Sequence, residues 1–220
     1  MLLTVLSAQL AYADIAPDPT PVDAFTDVTV RSTYYDAVSY LKNEGIISGY
    51  EDNSFKPYAT INRAEFTKII VGATRTTPDN GLCLESYAKA DGTYNNLFTD
   101  ITIGAVGTNA WYVDYICYAK DHILINGYPD GSFKPDQTIN FVEAAKILGK
   151  AFNIVPANSQ TASTQPWYEN YVEVLANYKA IPTTITKFDQ KITRGEMAEM
   201  AFRLKAGNTS LDSQTYANLY

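Results

Sequence analysis

The chain has 220 residues, 46% hydrophobic and 19% charged, with a formal net charge of −7. That balance excludes an intrinsically disordered chain, and the acidic excess argues against a nucleic-acid partner, which needs a basic face. One histidine (His122), two cysteines and no CxxC leave little material for a metal site or a histidine-based nucleophile, and no cofactor is expected.

Met1 to Leu10 is almost wholly apolar and is followed by Ala11-Tyr12-Ala13, the small-x-small pattern of a signal-peptidase site. Residues 1–13 therefore read as a signal peptide, truncated because the basic n-region is missing. The plainer reading is an apolar N-terminal strand or helix. The segment falls short of the roughly 20 apolar residues that span a bilayer, so no transmembrane segment is expected in the mature chain. Residues 14–24, with Pro17, Pro19 and Pro21, read as an extended linker.

Gly45 to Ile70 returns at residues 123–148 at a constant shift of 78, with roughly half of the positions identical. A worn third copy ends at Ile192–Leu204. Internal repetition of this kind implies three helix-loop-helix units sharing one core. The repeats run over 25–75, 98–153 and a degenerate 167–205; 76–97 is an inserted loop, 154–166 a linker and 206–220 a polar, frayed tail.

Within repeat one a helix is expected from Ser32 to Glu44, because Tyr34, Val38 and Leu41 share one face. Gly45 ends it. The second helix begins at Asn62, which forms a capping box with Glu65; Asn140 with Glu143 and Thr193 with Glu196 repeat the spacing. Six main helices are predicted, starting near Thr33, Asn62, Trp111, Asn140, Trp167 and Thr193. Cys83 and Cys117 are expected to pair in an exported protein, closing a loop of about 35 residues worth roughly 3 kcal/mol.

Phe-x-Asp, an aromatic-led helix, Gly-Ile-Ile-x-Gly-Tyr-x-Asp, Phe-Lys-Pro and Ile-Asn-Arg-Ala-Glu together resemble the S-layer homology (SLH) domain. The resemblance covers residues 25 to 205 and implies an all-α fold, a pseudo-threefold helical spindle with glycan-binding grooves between repeats. It also implies a non-catalytic anchor for bacterial cell-wall polysaccharide (a secondary cell-wall polymer or a peptidoglycan-linked glycan), secreted to the cell wall or S-layer. A cargo domain would then be separate or lie beyond either end. Residue by residue, the family's acidic position matches Asp27 and Asp100, its tryptophan matches Trp111 and Trp167, and its arginine matches Arg63 and Arg194. Thr33 stands at the tryptophan position of repeat one, and Phe141 at the arginine position of repeat two.

These residue types suit an anionic sugar. A guanidinium fork matches a carboxylate, an indole face covers a pyranose ring, and an aspartate accepts from hydroxyls. Arg63 and Arg194 also sit where a helix dipole adds positive potential. Each has a plainer role too: the arginines as helix-start or ion-pair residues, the tryptophans as core anchors, the aspartates as turn caps. If each groove takes its arginine from one repeat and its acid and tryptophan from the next, Arg63 meets Asp100 and Trp111. That arrangement gives one principal site and a weaker one at the closure, with Arg194, Asp27 and Thr33.

Catalysis is not expected. Asp100, Asp114 and Glu173 could form a glycosidase pair only formally, and the most regular glutamates already cap helices. The alternative is a structural or assembly module of the cell surface, using the same fold for protein–protein packing.

Overall fold

The computed structural model describes residues 23–74, 82–104, 110–155 and 165–219; the expected signal peptide and most of the first linker lie outside these. Among the described residues the chain is all-α. The elements are α1 (Tyr35–Asn43), α2 (Arg63–Thr74), α3 (Leu82–Glu85), α4 (Val113–Asp121), α5 (Phe141–Ala151), α6 (Glu169–Asn177), α7 (Arg194–Ala206) and a final 3₁₀ turn, Tyr216–Leu219. No strand forms among them, only isolated bridges.

The six expected helices are present, each starting one or two residues later than its sequence signal. In repeat one Tyr34, Val38 and Leu41 are all buried, as their spacing requires. Glu65 N donates to Asn62 Oδ1 (2.8 Å) and Asn62 N to Glu65 Oε2 (3.5 Å); the boxes at Asn140–Glu143 and Thr193–Glu196 form likewise. The first helix of every repeat ends alike. Ile46 N donates to Leu41 O, Leu124 N to Ala119 O and Ala180 N to Leu175 O, each over a left-handed residue: Gly45, Ile123 and Lys179.

The segments that lead into α2, α5 and α7 bond to one another in a closed cycle. Ile61 N donates to Ile192 O (3.1 Å), Ile192 N to Ile139 O (3.2 Å) and Ile139 N to Ile61 O (3.1 Å), and all three isoleucines are fully buried. The first two N–H groups of each helix are taken by the neighbouring repeat's loop: Arg63 and Ala64 by Gln137 and Pro135, Phe141 and Val142 by Gln190 and Phe188, Arg194 and Gly195 by Ala59 and Pro57. Helix starts normally leave such donors unsatisfied. Here they stitch repeat one to two, two to three and three to one. The first helix of each repeat packs on the second helix of the repeat before it, as α4 on α2, α6 on α5 and α1 on α7.

The inserted segment carries α3, tied to α4 by the disulfide Cys83–Cys117 with Cα atoms 6.0 Å apart. The C-terminal segment is not the frayed tail its polarity suggests. The buried Arg203 donates from Nη1 to Lys179 O and Asp212 O (both 2.8 Å) and pairs with Glu199. Gln214 N then donates to Ile181 O (3.0 Å), Tyr216 packs on Phe188, and Leu219 is buried.

Candidate functional site

Two grooves carry the chemistry, and three repeats contribute to each. The first is lined by Ile46–Tyr50, Glu65, Lys68 and Ile69 of repeat one, Arg194 of repeat three and Trp111 of repeat two. The second is lined by Leu124–Pro129, Glu143, Lys146 and Ile147 of repeat two, Arg63 of repeat one and Trp167 of repeat three. Their volumes are about 150 and 540 Å³. Arg63 therefore lies with Trp167, not with Asp100 and Trp111 as the adjacent-repeat pairing expects, and Arg194 lies with Trp111.

Each arginine is held rigidly from behind. Arg63 Nε donates to Phe133 O (2.7 Å) and its guanidinium lies over the rings of Tyr128 and Phe133 (4.6 and 4.7 Å). Arg194 Nε donates to Phe55 O (2.7 Å) and stacks on Tyr50 and Phe55 in the same way. Both are only 5% exposed. The capping glutamates do double service: one oxygen caps the helix while Oε1 of Glu143 lies 3.9 Å from Arg63 Nη1, and Oε1 of Glu65 lies 3.5 Å from Arg194 Nη1. Tyr128 donates to Glu143 Oε1 (2.7 Å) and Tyr50 to Glu65 Oε1 (3.1 Å). Burial, and then the bond to Glu143, push the Tyr128 phenol up to about 12, so it remains a donor at any ordinary pH. Burial raises Tyr50 as well.

The tryptophans are not core anchors: Trp111 is 52% and Trp167 48% exposed. A lysine faces each, Lys68 Nζ 5.4 Å from the Trp111 ring and Lys146 Nζ 5.3 Å from the Trp167 ring. Among the described residues neither lysine has an ion-pair partner, and burial pulls Lys146 below the ordinary lysine range. Sequence reasoning missed both lysines, although they recur at the 78-residue shift three residues after the capping glutamate.

Asp27 and Asp100 stand behind the grooves and line neither. Asp27 accepts from Phe55 N and Lys56 N (2.8 and 2.7 Å), and Asp100 from Phe133 N and Lys134 N (both 2.7 Å). These pairs hold Lys56 and Lys134 in left-handed backbone conformations (φ 58° and 59°). Phe25 and Phe98 pack on Phe55 and Phe133 and fill the space below Gly49 and Gly127. The whole Phe-x-Asp motif thus shapes the loop that carries the groove. The helix starts offer no anion site at these arginines, because the neighbouring loop takes their N–H groups.

The third position is closed. Phe141 replaces the arginine and is buried in the core. Glu196 accepts from Gln190 Nε2 (3.1 Å), and Glu199, paired with Arg203, stands where the grooves have lysine. Tyr34 fills the remaining space at 4% exposure, its hydroxyl bonded to Thr184 and Thr193. Gly195 admits that ring, since a Cβ there would lie 2.3 Å from it.

What this arrangement can do is bind. Each groove has a flat apolar ring, an ammonium with no carboxylate partner among the described residues and a locked guanidinium against a single carboxylate, which suits a sugar bearing an anionic group. The family model of the S-layer homology domain matches residues 24–67 and 106–145. The chain is 26% identical over 201 residues to the "Middle cell wall protein" of Brevibacillus brevis, covering 91% of this chain and 16% of that protein. It is 27% identical over 157 residues to the "Surface layer protein" of Brevibacillus choshinensis (71% and 12%). It is 28% identical over 144 residues to the "Surface-layer 125 kDa protein" of Lysinibacillus sphaericus (63% and 11%). The chain spans less than one fifth of the length of each of these relatives.

Proposed function

From a chain that carries S-layer homology domains, we propose a non-catalytic module, located at the bacterial cell wall or S-layer, that anchors a protein by binding cell-wall polysaccharide. The observation that carries this reading is the pairing, in two grooves, of a locked arginine, a lysine without a carboxylate partner among the described residues and a half-exposed tryptophan. The ligand-binding residues are Arg63, Lys146 and Trp167 in one groove and Arg194, Lys68 and Trp111 in the other. Asp27 and Asp100 support them by fixing the loops.

Two grooves on one domain suit a repeating polymer, because the second contact becomes intramolecular once the first has formed. Both the arginine and the lysine select for an anionic substituent, and the indole for the apolar face of the ring. Names of relatives such as "Surface layer protein" agree with a surface location.

The test is retention on purified bacterial sacculi with and without chemical removal of the attached polymer. Retention is expected on intact sacculi and not on stripped ones. Arg63→Ala together with Arg194→Ala should abolish it while circular dichroism remains that of the folded protein. Retention of the folded double variant would favour the structural or assembly module.

A further inference from the structure

The two grooves are not copies. At the groove of Arg63, Lys150 Nζ donates to Ile123 O (2.9 Å) and to Asn126 Oδ1 (3.3 Å), and Asn126 lines the cavity. An ammonium has three donors, so one is left uncommitted. Among the described residues no carboxylate pairs with Lys150. Lys150 lies close enough to Lys146 that the two repel, and burial lowers both. At the shift of 78 residues the groove of Arg194 has Gly72 in place of Lys150 and Ser48 in place of Asn126. The groove of Arg63 thus has a third cation directly behind its Asn126 wall, and the groove of Arg194 has none there. The richer groove is also the larger, about 540 against 150 Å³.

We propose that the groove of Arg63 contains a second anion subsite, at Lys150 and Asn126, and takes a saccharide carrying two anionic groups, whereas the groove of Arg194 takes one. This rests on the glycan-binding reading and adds a division of labour to it. Two ammonium groups held close together and partly buried repel one another, and an anion seated beside both relieves that repulsion. A loop strap needs only one of them: Gly72 shows that the first groove's loop forms without a lysine there.

The experiment uses the full chain with Arg194→Ala, leaving the groove of Arg63 as the competent one. Its probes are glucuronic acid (one anionic group), glucaric acid (two carboxylates) and glucuronic acid 1-phosphate (a carboxylate and a phosphate), titrated by NMR. A second charge-assisted contact should make at least one doubly charged probe bind about 10-fold more tightly than glucuronic acid. Lys150→Gln should erase that margin without changing the affinity for glucuronic acid, and Lys150→Arg should keep it. A margin for the phosphate alone supports the subsite and restricts its anion to phosphate.

In an Arg63→Ala background, Gly72→Lys should confer the margin on the other groove; a side chain fits at Gly72, whose Cβ would meet Ile46 at 3.8 Å. Equal binding of all probes, binding of none, or a margin indifferent to Lys150→Gln overturns the proposal. Weakened sacculus retention in Arg63→Ala, with no margin, sinks the second subsite alone and leaves the anchoring reading standing.

Discussion

Ile123 shows what a single residue costs when a repeat drifts. It ends α4 with φ 59°, where repeat one has Gly45, and its side chain is exposed. A β-branched residue in the left-handed region costs about 1–2 kcal/mol, partly offset by the extra unfolded-state freedom a glycine would bring. Ile123→Gly should therefore raise stability by about 1 kcal/mol in urea titration; a loss of that size would contradict the strain. Tyr128 gives a pH prediction. Its folded pKa, about 12, lies above the ordinary value of 10, so its contribution is complete below pH 10 and is lost as pH rises towards 12. Tyr128→Phe should flatten the alkaline stability curve within that window. At this scale the arginines and tryptophans singled out by the motif all line one or other groove. It could not separate Asp27 and Asp100 from them, because an aspartate that clamps two backbone N–H groups looks the same in one dimension as one that holds a sugar.

The helices were legible as elements. Capping boxes and apolar faces recur at fixed offsets, and both act within one turn of the chain. In the first two repeats the loop between the helices closes over a glycine, Gly49 or Gly127. Gly127 has φ 71°, and a Cβ there would lie 2.6 Å from the Phe98 ring and 2.7 Å from Ser132 O. Gly127→Ala should cost about 3 kcal/mol or more and deform the larger groove, read as a lowered melting temperature with weakened sacculus retention. The disulfide joins α3 to α4, whose leading edge carries Trp111. Reduction should cost about 3 kcal/mol, a fall of roughly 6–12 °C in melting temperature for a protein of this size. An unchanged melting temperature would show that the bridge restrains nothing. The ordered C-terminal segment was not legible. Its residues are polar and aperiodic, and its order comes from the buried Arg203 and from the loop after α6, which is distant in sequence.

Which residues share a groove is a property of the closed ring, and this is where local patterns stop informing. Sequence order suggests that an arginine serves the repeat that follows it, and it does: Arg63 sits over Tyr128 and Arg194 over Tyr50. The tryptophan comes from one repeat further on, because the first helix of each repeat packs on the second helix of the repeat before. The third position has Phe141 and Glu199 where the others have arginine and lysine, so a conservative change such as Phe141→Leu should leave sacculus retention of the folded protein unchanged.

Retention of the Arg63→Ala protein on sacculi, combined in turn with Trp167→Ala and with Trp111→Ala, tests the three-repeat groove most directly. Mutations within one groove are coupled and those in separate grooves combine. Trp167→Ala should add almost nothing to Arg63→Ala, while Trp111→Ala should remove the binding that remains. If Trp111→Ala is silent in the Arg63→Ala background and Trp167→Ala is decisive, the grooves are assembled from different partners.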